Sequence, residues 1–115
     1  MGLVNRTELP EVQISPGITV KVLSTATMTI FYATIDAGAD LPEHSHYNEQ
    51  ILNMIEGELE LVVEDKKFTL GPGNSFVLDP NVVHSGRALT DCLVIDVFHP
   101  AREEFKDGTF SGYTD

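Results

Sequence analysis

The stretch Glu58-Leu-Glu-Leu-Val-Val-Glu64 constrains this chain more than any other. Extended, it places Leu59, Leu61 and Val63 on one side and mostly acids on the other, the pattern of a strand with one face buried and one face wet. Similar short segments recur. Ile18 to Leu23 and Met28 to Ile35 are rich in β-branched and aromatic residues, and Gln50 to Ile55 runs into Gly57. Phe68 to Leu70 follows a turn at Asp65-Lys66-Lys67, and Ser75 to Leu78 follows the tight turn Gly71-Pro72-Gly73. A final strand, Cys92 to Phe98, is apolar on both faces apart from Asp96. Helical period is nearly absent. The exception is Pro100-Ala-Arg-Glu-Glu-Phe105, where proline is placed to open a single turn. Many short strands separated by Gly/Pro turns predict an all-β sandwich or rolled barrel.

A chain of 115 residues makes one domain with a real core. Residues 1–105 are expected to form it, with 106–115 as a tail that is flexible or docks its aromatics on a partner or a pocket. The single cysteine, Cys92, excludes an intrachain disulfide and fits a reducing compartment. The first residues carry no apolar signal region and no run reaches membrane-spanning length, so a cytoplasmic location is expected. The formal charge of −11 argues against nucleic acid and anionic membrane as partners, because both need basic patches. An anionic small molecule is also repelled at long range, unless a bound divalent cation dominates the local field. For most of the acids, surface solubility is a sufficient role.

Three candidate metal ligands lie in the run from Gly38 to Gln50: His44, His46 and Gln50 itself. Their separations are even, so in one extended strand they share a face while Glu49 points away. A fourth candidate, His84, follows the punctuated segment from Gly71 to Asn81-Val-Val. Imidazole and amide oxygen together suit a divalent Zn, Ni, Mn or Fe ion. A lone histidine on an apolar face is usually a satisfied core residue; three at such spacings favour ligation. Gln50 has the alternative of hydrogen bonding inside the barrel. His99 has the wrong parity relative to Asp96 and reads as a surface or interface residue, whereas Tyr32 and Met54 are expected on inward faces as barrel lining.

These residues resemble the cupin family, whose first motif is Gly, five residues, His-x-His, a short gap to Glu, then six residues to Gly. Gly38, His44, His46 and Gly57 match it, with Gln50 where the family has Glu. The second motif sets Pro-x-Gly ahead of a His. Gly73 and His84 match, while Asp79, Pro80 and Asn81 depart from the turn, which Asn81 can restore by taking the left-handed conformation. The resemblance implies a single-domain jelly-roll barrel that pairs as a homodimer through edge strands. The Gln for Glu exchange, with Asp96-Val-Phe98-His-Pro-Ala-Arg102, is similar to the small pectin-degradation cupins of KdgF type, which convert unsaturated uronate monomers to their linear keto form. Their three-His, one-Gln ligand set falls on His44, His46, Gln50 and His84. Their proposed catalytic Asp, Phe and Arg fall on Asp96, Phe98 and Arg102.

The residue chemistry allows this. Three imidazoles and an amide leave a divalent charge uncompensated, which strengthens the ion as Lewis acid and as anchor for a carboxylate. Asp96 interrupts an apolar strand, and a buried carboxylate needs either a partner, such as Arg87 or Arg102, or a function. Facing inward, it would carry the raised pKa of a proton-transfer group. Arg102 is placed to hold a substrate carboxylate bidentately or to form a surface ion pair with Glu103 or Glu104. Phe98 suits core packing or stacking on a sugar ring. The expectation is a metal-dependent isomerase-type enzyme acting on a sugar acid. Two alternatives are a metal-dependent dioxygenase and a non-catalytic cupin that binds a small ligand.

Overall fold

The structure is a computed structural model that describes residues 2–105; the tail at 106–115 lies outside the described residues. Among the described residues ten strands form: β1 (Glu11–Ser15), β2 (Ile18–Ser24), β3 (Thr29–Ile35), β4 (Asp40–His44), β5 (Glu49–Glu56), β6 (Leu59–Val63), β7 (Lys66–Leu70), β8 (Ser75–Leu78), β9 (His84–Ala88) and β10 (Cys92–His99). They make two antiparallel sheets, ordered β1-β2-β3-β10-β5-β8 and β4-β9-β6-β7. The inner faces enclose one core that includes Val20, Phe31, Leu52, Met54, Leu61 and Val94. Two 3-10 turns, Arg6–Glu8 and Glu103–Phe105, flank the strands. This is the all-β architecture that the alternating pattern predicts, in the jelly-roll form that the resemblance implies.

Period two decides which side chains enter the core. In β6, Leu59 and Leu61 are buried and Val63 is half-buried, while in β5 Gln50, Leu52 and Met54 face in. In β10 the inward set is Cys92, Val94, Asp96 and Phe98. That strand is apolar on its outer side too because it sits centrally, paired with β3 on one side and β5 on the other.

Tyr32 departs from its expected place. Its neighbours Phe31 and Ala33 are buried, as is Thr29 on the same side of β3, so Tyr32 lies on the outer face, beneath the Arg6 guanidinium at 5.2 Å. Strict alternation requires this once Phe31 is inward. The helical turn at the C-terminal end forms over Glu103–Phe105, three residues after Pro100.

Turn chemistry is visible at two positions. Asn81 takes φ 67, the left-handed conformation expected of it. Gly57 takes φ 88, and a Cβ there would run into the Asp91 carbonyl, so only glycine fits.

Candidate metal centre

His44, His46 and His84 converge at one end of the barrel, with ligand atoms all within 4.8 Å of one another. The chain reaches this point by three routes. His44 closes β4 and pairs across the ladder with His84, which opens β9. His46 lies in the connection that carries the chain from β4 in one sheet to β5 in the other. Gln50 sits near the start of β5, facing inward, while Glu49 is exposed. The single extended strand assumed for His44, His46 and Gln50 is therefore corrected. They lie on two strands and a connecting turn, and only the outcome, a shared direction with Glu49 excluded, survives.

Each imidazole is held in one tautomer by the backbone. Nδ1 of His44 lies 2.8 Å from the Pro42 carbonyl, Nδ1 of His46 lies 3.0 Å from that of Asn48, and Nδ1 of His84 lies 2.9 Å from that of Val82. A carbonyl only accepts, so each Nδ1 carries the proton and each Nε2 presents a lone pair. The rings are also kept neutral. Burial, followed by the His84 ring nearby, lowers the pKa of His44 to about 4. Burial, followed by the Arg102 charge, lowers that of His46 to about 4, and burial lowers His84 as well.

This arrangement has two electrostatic defects that a cation removes. Nε2 of His84 is buried without a hydrogen-bond partner, an arrangement that is costly in a folded protein. Nε2 of His46 faces the Gln50 carbonyl oxygen Oε1 at 3.1 Å, and with its Nδ1 protonated both atoms are acceptors. The amide cannot simply turn over, because its Nε2 donates to Asp96 Oδ1 at 2.8 Å. Three aligned lone pairs with a carbonyl oxygen beside them fit a divalent metal.

Asp96 adjoins this cluster through strand register. It stands opposite Leu52 on β5, and Gln50 stands opposite Phe98, so Gln50 and Asp96 are diagonal neighbours on the inner face. Burial raises the Asp96 pKa to about 6, against the opposing pull of the Gln50 hydrogen bond and the Arg102 charge.

Arg102 is more enclosed than a residue past a strand end suggests, with its side chain only 3% exposed. Its guanidinium lies over the rings of Phe98 at 4.9 Å, Phe105 at 5.1 Å and Phe31 at 5.9 Å. Its Nε donates to Glu104 Oε1 at 3.1 Å, so the ion pair with Glu104 exists, but from a buried cation. Phe98 is a core residue whose ring also borders His46. Arg87 pairs loosely with Asp40 at 3.9 Å, and exposed His99 is outside the cluster.

Two cavities meet here. The outer, about 30 Å³, is bordered by His44, Gln50, His84, Asp96, Phe98 and Arg102. The inner, about 50 Å³, runs into the apolar barrel and shares Gln50, His84 and Asp96 with it. Chemically the centre is a small pocket with polar groups at its mouth and hydrocarbon behind.

Two contributors escape sequence reasoning. Asn48 and Thr29 are both fully buried, and both bond to the segment that carries Arg102. An asparagine in a short connection reads as a turn former, and a threonine opening a strand reads as β propensity; neither signal is specific.

Comparison with known proteins agrees with this geometry. The cupin domain family matches residues 31–98. The structure of KdgF from Halomonas sp. is 31% identical with a TM-score of 0.82, covering 90% of this chain and 97% of that one. An RmlC-like cupin from Shewanella frigidimarina is 27% identical with a TM-score of 0.84, covering 91% and 96% of the two chains. Salicylate 1,2-dioxygenase from Pseudoaminobacter salicylatoxidans shares the fold alone, at 17% identity and a TM-score of 0.72, over 76% of this chain and 26% of that one. No curated protein matches the sequence. With its sheet topology, its converging histidines and a family match across most of the barrel, the chain belongs to the cupin family and resembles KdgF.

Proposed function

We propose that this cupin opens the ring of 4,5-unsaturated uronates, or of a close sugar-acid relative, giving the linear keto acid. The observation that carries the reading is the Gln50 amide, shared between the histidine cluster and a buried carboxylate of raised pKa. It joins a Lewis-acid position to a proton carrier in one small pocket.

His44, His46, Gln50 and His84 would hold a divalent Zn, Ni, Mn or Fe ion, which would supply Lewis-acid polarisation of an oxygen and an anchor for a carboxylate. Arg102, fixed in its aromatic surround, orients the substrate carboxylate. Asp96 takes the proton of the anomeric hydroxyl as the ring carbon–oxygen bond breaks, and returns it to the enol carbon. One proton moves from oxygen to carbon, with no oxidant and no water consumed. Gln50 occupies Oδ1 of Asp96, so transfer falls to the other carboxylate oxygen. Phe98 forms a wall of the pocket, and the apolar chamber behind it limits water near Asp96.

The barrel is read as cytoplasmic and homodimeric. No helix among the described residues is long and apolar enough to cross a membrane. Ile51 and Val77 pair across the outer face of β5 and the edge strand β8, both exposed, with Ile55 nearby, and a second copy would cover them.

The test follows the double-bond ultraviolet absorbance of freshly generated unsaturated galacturonate. Zinc-loaded protein should accelerate its loss over buffer, and chelated protein and Asp96→Asn should not. Decay at the buffer rate with every metal tried removes the substrate assignment.

A further inference from the structure

Asn48 lies just beyond the last rung of the β5–β10 ladder, Glu49 opposite His99, between two segments that the ladder no longer pairs. Its backbone carbonyl accepts the Nδ1 proton of His46 at 3.0 Å. Its side-chain Nδ2 donates to the carbonyls of Pro100 at 2.7 Å and Ala101 at 3.2 Å, the two residues immediately before Arg102. Both amide hydrogens are thereby committed, and the residue is 2% exposed. From the other side, the Arg102 backbone N–H donates to Thr29 Oγ1 at 2.9 Å, and Thr29 is itself bonded to Ser24 at 2.9 Å. Three consecutive residues are therefore pinned, Pro100 and Ala101 by Asn48 and Arg102 by Thr29. The His46 connection is pinned in turn, because the Asn81 N–H donates to its carbonyl at 2.7 Å.

We propose that Asn48 is a positioning residue that locks the Arg102 segment to the His46 connection, keeping one fixed separation between the anion-binding guanidinium and the histidine cluster. A carboxylate bridging the two needs that separation held closely, since small misplacements forfeit much of a bidentate contact. A side chain is required because β10 has already ended at His99, so ladder hydrogen bonds no longer fix the backbone that follows. Asparagine suits the place: its amide offers two donors to two adjacent carbonyls, whereas aspartate offers none and serine only one. The inference rests on the reading of Arg102 as the carboxylate anchor, and half of its test does not depend on that reading.

The test compares wild type, Asn48→Ala, Asn48→Ser, Arg102→Ala and the double variant Asn48→Ala/Arg102→Ala, all zinc-loaded, with galacturonate as the unreactive probe in calorimetric titration. Asn48→Ala should weaken galacturonate about tenfold, and Asn48→Ser by less, the hydroxyl restoring one donor. Zinc affinity should hold within about threefold, because the acceptor for His46 is the backbone carbonyl that every variant keeps. In the Arg102→Ala background, removal of Asn48 should cost galacturonate nothing further, since a residue acting through Arg102 has then lost its target. Equal losses in both backgrounds overturn the proposal.

The second readout is hydrogen exchange of the Arg102 Nε–H and of the backbone amides. Acceleration in Asn48→Ser confined to residues 99–105 and the His46 connection supports the lock; uniform acceleration across β10 and β3 overturns it, showing a general packing role. Should wild type fail to bind galacturonate, the sugar-acid reading falls, and exchange alone decides the role of Asn48.

Discussion

The barrel interior has two halves that share β5, β9 and β10, which give Leu52, Ala88 and Val94 to one and Gln50, His84 and Asp96 to the other. At one end Val20, Ala33, Leu59, Leu61 and Val94 pack hydrocarbon against hydrocarbon. At the other, the same inward alternation delivers Gln50, His84 and Asp96, and a register shift in β4 between Leu41 and His44 turns His44 in beside them; among these are a buried nitrogen without a partner and a carboxylate with a raised pKa. The apolar half is consistent at every level, from period-two pattern to packing. The polar half costs folding energy, and the pattern of its cost fits a bound cation. The Nδ1 hydrogen bonds of these histidines are satisfied by backbone carbonyls, whereas their inward lone pairs gain only when a cation joins them. The comparison teaches that alternation places the apolar half entirely, whereas the polar half adds to it a register shift at His44 and a connecting turn at His46.

Breaking the polar half should damage turnover and leave the fold standing. Asp96→Asn is expected to lower turnover by about 10² to 10⁴ while zinc binding persists, measured by single-turnover kinetics beside calorimetry. Unchanged turnover would remove Asp96 from the mechanism. In the apolar half the pattern reverses. Leu61→Ala should cost about 2–5 kcal/mol in chemical denaturation, and its zinc affinity at 25 °C should stay near wild type while the protein remains folded.

A third experiment sharpens the contrast through pH. The folded-state pKa of Asp96 is raised from 3.8 to about 6, so its ionisation opposes folding. Below pH 3.8 the group is protonated folded or unfolded and exerts no penalty; the penalty grows as pH rises and is complete above about 6. In metal-free protein, Asp96→Asn should therefore be more stable than wild type by about 2–3 kcal/mol at pH 7.5, the difference fading toward pH 3.5. A pH-independent difference would mean that Asp96 is not the source of strain. The smallest expected change lies outside the barrel. Ile51→Glu on the outer face should convert a dimer to monomer in light-scattering mass measurements, with Tm shifted by a few degrees at most. A monomeric wild type would remove the dimer.

The halves also differ in how much the sequence discloses. Period two exposes β2, β3, β5, β6, β8 and β10, because each carries alternating or continuous apolar residues bounded by turn formers. β4 and β9 escape it. Asp40-Leu-Pro-Glu-His44 and His84-Ser-Gly-Arg-Ala88 are short and polar, and they are strands because they pair with each other around the histidines. The convergence of His44, His46 and His84 was therefore legible from motif spacing, whereas the route was not: His44 and Gln50 occupy different sheets, a fact that only long-range pairing decides. Asp96 was legible as a charge in an apolar strand. Its bond to Gln50 depends on β5–β10 register, and the burial of Arg102 depends on Phe31 and Phe105 closing over it. Neither is written in local pattern. Asn48 is the extreme case, since its side chain bonds to a segment some fifty residues away.

The most direct test of the metal centre is a crystal grown with zinc and measured at the zinc absorption edge. The account predicts one strong anomalous peak about 2.0–2.2 Å from Nε2 of His44, His46 and His84 and from Oε1 of Gln50, with the Gln50 amide still donating to Asp96. A peak held by surface acids instead, or Gln50 turned away from an ion on the three histidines, would contradict it.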